Sequence, residues 1–182
     1  MPTKLIVMGV AGCGKSSLGA ALAQCLGLPL IEGDDFHSPA SKDKMHRGVP
    51  LDDADRASWL DRLGEESRRH AGGAVLTCSA LKRAYRERLR RADPGVRFVY
   101  LRIEADLAYR RVSARQGGHF FQPSLVASQF ATLESPEGEA GVFTVDAALG
   151  TPAQARAVMD WIASESSERP RTARPRTPGD IP

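Results

Sequence analysis

A glycine-rich stretch near the start of the chain has the residue types that bind phosphate groups. Gly9, Gly14, Lys15 and Ser16 fit the pattern G-x-x-x-x-G-K-[ST], directly after the apolar run LIVM. In this pattern backbone N–H groups point at phosphate oxygens, the lysine reaches the β- and γ-phosphates, and the hydroxyl ligates Mg²⁺. The sequence therefore predicts that a nucleoside triphosphate and Mg²⁺ bind at a phosphate loop made of Gly9, Val10, Ala11, Gly12, Cys13, Gly14, Lys15, Ser16 and Ser17. The motif alone does not separate a kinase from a switch GTPase or an ATPase.

Three carboxylates follow the second predicted strand, in the segment LIEGDDFH. In an open parallel sheet, ligands bind beyond the carboxyl ends of the strands, so we expect Glu32, Asp34 and Asp35 near the phosphate loop. A carboxylate there can hold the water shell of Mg²⁺ or accept the proton of an attacking hydroxyl. Two structural alternatives stay open, in which Asp35 caps the next helix and Glu32 pairs with Lys15 or an arginine.

Apolar runs alternate with helical patterns along the chain, which predicts a parallel sheet with helices on both faces. Strands are predicted over 4–8, 29–31, 74–78, 97–101 and 142–145, and helices over 15–26, 82–91, 105–115, 124–133 and 152–163, the last capped by Thr151. Residues 38–71 have helical spacing with an interruption at 48–50. We expect one α/β domain over 1–167 with a five-stranded parallel sheet in three α/β/α layers. A disordered basic tail rich in proline and arginine is expected over 168–182.

The composition argues against several classes of protein. The 182 residues include 25 basic and 22 acidic side chains, a net charge of +3. The tail holds four Arg against one Glu and one Asp, or +2, so residues 1–167 carry only +1, which does not indicate nucleic-acid binding. Three scattered cysteines suit a reducing compartment, and no apolar run reaches the roughly 20 residues that cross a bilayer. We expect a cytoplasmic protein that binds neither nucleic acid nor membranes.

Several further motifs, taken in order, resemble those of the gluconokinase family. They are GDDFH at Gly33–His37, Lys44-Met45, Gly48–Leu60, CSALK at Cys78–Lys82, Tyr85-Arg86, GHFF at Gly118–Phe121 and Gln129–Glu134. The resemblance covers about residues 4–162. It implies a P-loop kinase fold like that of shikimate and nucleoside monophosphate kinases, and it suggests a homodimer. It also implies transfer of the γ-phosphoryl group of ATP to the 6-hydroxyl of D-gluconate, giving 6-phosphogluconate.

Gluconate is a small polyol with one carboxylate, so its site needs cations and hydrogen-bonding groups. The resemblance implies a substrate-binding segment over about 36–72, followed by contacts after the third strand. The candidate substrate contacts are His37, Lys44, Arg47, Asp53, Arg56, Ser79, Lys82 and Arg86. We expect Asp34 to orient the attacking hydroxyl and accept its proton, and Glu32 to stand beside the metal with Ser16. Trp59 is expected to pack in the core.

A mobile lid is predicted over about residues 111–124. Arg111 and Arg115 are four residues apart and share a helix face. Arginines on such a segment stabilise charge on the transferring phosphoryl group, and closure excludes water. His119 is a further predicted substrate contact, although the chain has one residue more between Arg115 and His119 than the family pattern.

Two other functions are considered. One is a kinase of the same fold that acts on another small acceptor, such as shikimate or a different sugar acid. The third strand ends in Thr77-Cys78-Ser79-Ala80 rather than in the Gly-Gly-Gly expected of a shikimate kinase. The other is a regulatory nucleotide switch, which is disfavoured because the chain has neither a guanine-reading Asn-Lys-x-Asp motif nor a strand-ending Asp-x-x-Gly.

Overall fold

Five parallel strands form one sheet, in the order β2-β3-β1-β4-β5. The computed structural model describes residues 2–114 and 124–168. The strands are β1 Thr3–Met8, β2 Leu30–Glu32, β3 Gly73–Thr77, β4 Val96–Arg102 and β5 Val142–Asp146. The predicted five-stranded parallel sheet is confirmed, with β2 and β3 each shifted by one residue. Of the predicted tail over 168–182 only Glu168 lies within the described residues, and most of the predicted lid lies outside them.

The side chains of the central strand β1 alternate between two cores. Leu5 and Val7 belong to the core on one face of the sheet, and Ile6 and Met8 belong to the core on the other. Successive side chains of a strand point to opposite faces, so an unbroken apolar run is what a strand buried on both faces requires. The three α/β/α layers predicted from the sequence follow from this pattern.

Seven helices are present in the described residues. They are α1 Lys15–Leu26, α2 Pro39–His46, α3 Asp53–Arg69, α4 Arg83–Ala92, α5 Ala105–Ser113, α6 Leu125–Thr132 and α7 Thr151–Glu168. Apolar residues of α1 and α7 join one core, and those of α3 and α4 join the other. The prediction that Thr151 caps α7 is wrong, because the helix already includes Thr151 and the Gln154 amide donates to the Gly150 carbonyl oxygen. No helix within these ranges is long and apolar enough to cross a membrane.

The predicted interruption of the helical segment near residue 50 is confirmed. Ser38 caps α2 by accepting from the Ser41 amide at 3.0 Å. Asp52 and Asp55 form a capping box at the start of α3, with N···O distances of 2.8 and 3.1 Å. The segment over residues 38–69 is therefore two separately capped helices joined by a connection that begins with a turn at Gly48.

Arg86 is a buried anchor of the fold rather than the substrate contact predicted from the sequence. Its side chain is fully buried. The guanidinium donates to the Glu139 carboxylate, with a shortest distance of 2.5 Å, and to the carbonyl oxygens of Ala80 (2.9 Å) and Leu81 (3.1 Å). The Arg86 hydrogen bond is the main cause that holds the pKa of Glu139 below its ordinary value. Because these protein groups engage its nitrogens, the guanidinium is not available to a ligand.

Removing Arg86 should therefore destabilise the protein strongly. We expect Arg86→Leu to lower the free energy of unfolding by about 3 kcal/mol, because it leaves the Glu139 carboxylate without its main partner. Urea denaturation at pH 7 measures this loss. Arg83→Leu, at an exposed position of the same helix, is the control and should stay within about 0.5 kcal/mol of the wild type. An Arg86→Leu loss as small as that of the control would contradict the anchoring role.

Candidate active site

The phosphate loop connects β1 to α1 at the carboxyl edge of the sheet. Gly12 and Gly14 have φ values of 82° and 101°, in the left-handed region that glycine adopts without strain. A Cβ atom on Gly12 would lie 2.6 Å from the Ala108 carbonyl oxygen, so α5 packs directly against the loop. Lys15 Nζ donates to the carbonyl oxygens of Gly9 and Val10, each at 3.1 Å. The loop is therefore preformed, with the lysine ammonium folded against its own backbone.

The carboxylate of Glu32 lies where α1, β2 and β3 meet. Ser16 Oγ donates to Glu32 Oε2 at 3.1 Å, and Thr77 Oγ1 donates to the same oxygen at 2.6 Å. The Gly33 amide in turn donates to Thr77 Oγ1 at 3.2 Å. The structure thus brings together the two predicted metal ligands, Ser16 and Glu32. Thr77 was missed by the sequence reasoning, and its position at a strand end was the available signal.

This pair of oxygen ligands fits Mg²⁺ in a nucleotide site. Magnesium in kinases is held through one or two side-chain oxygens, with waters and substrate phosphates completing the shell. Among the described residues no group of three or more His, Cys, Asp and Glu side chains is arranged to hold a metal. A metal at Ser16 and Glu32 would therefore depend on the phosphate groups of the nucleotide.

A short 3₁₀ turn, Gly33–Phe36, carries Asp34. Trp59 Nε1 donates to the Gly33 carbonyl oxygen at 2.7 Å, and the ring of His37 stacks on Trp59 with centroids 4.3 Å apart. Trp59 is only 2% exposed, which confirms the expected packing role. The Asp34 side chain stays 63% exposed. The turn is held against the core while its carboxylate remains accessible.

The imidazole of His37 is buried as a neutral ring. Burial lowers its pKa from the ordinary value of 6.5 to about 4; Asp34 opposes this shift, while Lys42 and Arg56 add to it. His37 Nε2 is 3.8 Å from Asp34 Oδ1, too far for a hydrogen bond. Nδ1 is buried without a hydrogen-bond partner among the described residues. Such an atom costs about 1–3 kcal/mol, a cost that is unusual away from sites completed by a ligand or water.

A cavity of about 500 Å³ joins these groups. The predicted residues Glu32, Asp34, His37, Arg56 and Ser79 line it, together with most of the phosphate loop. Val10 and Cys13 are each 1% exposed and pack in the core behind the loop. The volume of the cavity lies in the range of pockets that hold small ligands. The predicted phosphate and acceptor residues therefore share one cavity.

Two predicted substrate contacts, Lys44 of α2 and Arg47 directly after that helix, do not line this cavity. Lys44 Nζ donates to both oxygens of Asp55, at 2.7 and 2.8 Å, and that hydrogen bond is the main cause that raises the pKa of Lys44. Arg47 pairs with Asp43 one turn earlier, at 2.7 Å, on the exposed surface. The structure gives both cations carboxylate partners within the protein.

Asp53 and Lys82, also predicted substrate contacts, pair with each other outside the cavity lining. Lys82 Nζ donates to Asp53 at 2.7 Å, and this bond is the main cause that lowers the pKa of Asp53. The Tyr85 hydroxyl donates to the same carboxylate and accepts from Arg56 Nη1 at 3.5 Å. Asp53 and Tyr85 therefore support Arg56, which does line the cavity. Tyr85 belongs to one of the motifs that resemble the gluconokinase family, but its position in the sequence predicts no role for it.

Arg111, near the end of α5, contacts the phosphate loop. Its Nη2 donates to the Ala147 carbonyl oxygen at 3.0 Å and its Nη1 to the Gly12 carbonyl oxygen at 3.4 Å. Arg111 thus links α5, the phosphate loop and the connection after β5. The other predicted lid residues, Arg115 and His119, lie outside the described residues, and the role of Arg111 in phosphoryl transfer stays a prediction.

A phosphate loop at the end of β1, beside a cavity lined by carboxylates and a guanidinium, is the arrangement of a P-loop nucleotide-binding site, and the comparisons with known proteins show that it is a kinase. The family model described as "AAA domain" matches residues 5–135. A gluconokinase of Gluconobacter oxydans is 48% identical over 149 residues, which cover 79% of this chain and 82% of the relative. The crystal structure of a gluconokinase from Sinorhizobium meliloti 1021 is 40% identical with a TM-score of 0.82, and the match covers 91% of this chain and 96% of that one.

A more distant structure agrees in fold alone. Shikimate kinase from Acinetobacter baumannii, in complex with shikimate, is 16% identical with a TM-score of 0.65, and the match covers 91% of this chain and 95% of that one. The relatives at 40% identity and above show the family directly. The chain belongs to the gluconokinase family.

The buried neutral His37 predicts a specific pH dependence of stability. Its folded pKa of about 4 lies below the ordinary 6.5, so the unfolded chain binds the extra proton between these values. The stability that His37 contributes is present above pH 6.5 and is lost as the pH falls toward 4. When the pH is lowered from 7.5 to 5, we expect the free energy of unfolding to fall by about 2 kcal/mol less in His37→Phe than in the wild type. Phenylalanine keeps a ring that can stack on Trp59.

Urea denaturation of both proteins across this range measures the difference. If the free energy of unfolding of His37→Phe changed with pH by as much as that of the wild type, the imidazole would not be buried in its neutral form.

Proposed function

We propose that this chain is a gluconokinase that transfers the γ-phosphoryl group of ATP to the 6-hydroxyl of D-gluconate, giving 6-phosphogluconate and ADP. One observation carries the proposal: the phosphate loop, the accessible Asp34 carboxylate and the Arg56 guanidinium line the same cavity. This arrangement puts a phosphate site, a proton acceptor and a cation for a carboxylate within reach of one small molecule. Membership of the gluconokinase family supports the same acceptor.

On the nucleotide side, Lys15 exchanges its two backbone carbonyl partners for β- and γ-phosphate oxygens. Ser16 and Glu32 would hold Mg²⁺, with Thr77 fixing the Glu32 carboxylate. When bound, the metal neutralises charge on the phosphate oxygens. The short distance between the Ser16 and Glu32 oxygens supports this ligand pair.

On the acceptor side, Arg56 binds the carboxylate of gluconate, and His37 and Ser79 contact its hydroxyl groups. Asp34 orients the 6-hydroxyl toward the γ-phosphorus and accepts its proton. The hydroxyl oxygen forms the new P–O bond while the bond from phosphorus to the β–γ bridging oxygen breaks, and ADP leaves. Positioning and charge neutralisation supply most of the rate in such transfers, which matches a site built from a preformed loop and fixed charges.

A coupled assay of ADP formation tests the proposed function. The panel contains gluconate, shikimate, glucose, glucuronate, nucleoside monophosphates and no acceptor, each with ATP and Mg²⁺. We expect turnover that depends on gluconate, with phosphate on the 6-position of the product by NMR. Turnover with a different acceptor, or equal slow ADP release in every sample, would overturn the proposal.

Asp34→Asn should remove the proton acceptor and keep the shape of the turn. General-base catalysis typically contributes about 10²–10⁴-fold, so we expect kcat to fall in that range while the affinity for ATP changes little. Asp160→Asn, the same change at an exposed position of α7, is the control and should leave kcat near the wild-type value. Steady-state kinetics and ATP titration measure the two effects, and near-normal turnover of Asp34→Asn would contradict its role as the base.

Arg56→Gln should weaken binding of the acceptor carboxylate. A charge-assisted hydrogen bond contributes about 1.5–3 kcal/mol, so we expect the KM for gluconate to rise about 10- to 100-fold while the KM for ATP stays near the wild-type value. Arg68→Gln removes the same charge from an exposed position of the same helix and serves as the control. Equal KM values for gluconate in the two variants would show that Arg56 does not bind the acceptor.

A further inference from the structure

A glutamine side chain from α6 is attached to the phosphate loop. The Ala11 amide donates to Gln129 Oε1 at 2.7 Å, although the two residues are 118 positions apart in the chain. A backbone amide can only donate, so the atom that faces it must be the carboxamide oxygen. The contact therefore fixes which way the Gln129 carboxamide points.

This orientation leaves the other half of the carboxamide for a ligand. Nε2 carries two N–H donors, and it makes no hydrogen bond to another described residue in the structure. Gln129 lines the same cavity as Asp34 and Lys15. A neutral donor pinned to the loop thus borders the space in which the nucleotide and the acceptor must meet.

The packing of α6 keeps this side chain in place. Leu125, one turn earlier on the helix, is 4% exposed and packs with Met45 of α2 and Leu51 of the connection before α3. All three apolar side chains border the cavity. Because this cluster and the Ala11 contact both hold α6, the Gln129 carboxamide has a fixed position relative to the phosphate loop and to α2.

We propose that Gln129 is a further catalytic residue, whose Nε2 donates to an oxygen of the γ-phosphoryl group where it meets the acceptor hydroxyl. The Oε1 contact with Ala11 holds the donor in place before the substrates arrive. A donor fixed in this way stabilises charge on the transferring group without reorganisation during the reaction. This inference rests on the proposed phosphoryl transfer to gluconate.

Two substitutions separate the donor role from the loop-holding role. Gln129→Met removes both the donor and the acceptor at similar size, whereas Gln129→Glu keeps an oxygen for the Ala11 amide and loses the donor. Gln24→Met, on the exposed surface of α1, is the control. The readouts are kcat and KM for gluconate, and the Kd of ADP by calorimetry, because ADP lacks the γ-phosphoryl group.

We expect kcat to fall about 100-fold in Gln129→Met, the loss typical of removing one fixed donor at a reacting oxygen. The kcat of Gln129→Glu should fall at least as far as that of Gln129→Met. The Kd of ADP should stay within about threefold of the wild type in Gln129→Met, a change of less than 1 kcal/mol.

Two results would overturn the proposal. Wild-type kcat in Gln129→Glu would mean that the side chain only holds the loop. A loss of ADP affinity in Gln129→Met as large as its loss of kcat would mean general damage to the nucleotide site. Failure of the proposed function would appear elsewhere, as a wild-type protein without gluconate-dependent turnover.

Discussion

The Glu32 carboxylate joins the parts of the site that handle a phosphoryl group. It ends β2, accepts from Ser16 at the start of α1, and accepts from Thr77 at the end of β3. This junction depends on sheet register, because Glu32 is paired with Thr77 in the parallel β2–β3 ladder. A slip of one residue would turn Glu32 to the other face of the sheet and separate it from the phosphate loop. The adjacent 3₁₀ turn, tied to Thr77 through the Gly33 amide and to Trp59 through the Gly33 carbonyl, then sets the place of Asp34.

Few cationic side chains line the cavity among the described residues. Three of the predicted substrate-binding cations are instead engaged by carboxylates within the protein, in the pairs Lys44–Asp55, Lys82–Asp53 and Arg86–Glu139. Among the described lining residues the permanent cations are Lys15 and Arg56. Lys15 belongs to the phosphate loop, whereas Arg56 comes from α3 and is supported by Tyr85. Because burial keeps His37 neutral at physiological pH, it adds a polar surface beside Asp34 without a third positive charge.

Local signals in the sequence predicted the phosphate loop, the strand alternation and the meeting of Ser16 with Glu32. These features follow from a short motif and from the rule that parallel strands end at one edge of the sheet. The long-range pairing of charges was not readable in the same way. Arg86 has the right type for an anionic ligand, yet Glu139, 53 positions away, takes its guanidinium. Thr77 and Gln129 were missed as functional residues because their contacts with Glu32 and Ala11 exist only in the folded chain.

The orientation of the acceptor is the central claim, and a crystal structure with a non-hydrolysable ATP analogue, Mg²⁺ and gluconate tests it most directly. We expect the 6-hydroxyl oxygen within hydrogen-bond distance of the Asp34 carboxylate and in line with the γ-phosphorus, with the gluconate carboxylate on Arg56. A reversed gluconate, or one whose carboxylate lies on Lys44 or Lys82 after their internal ion pairs have opened, would contradict the account.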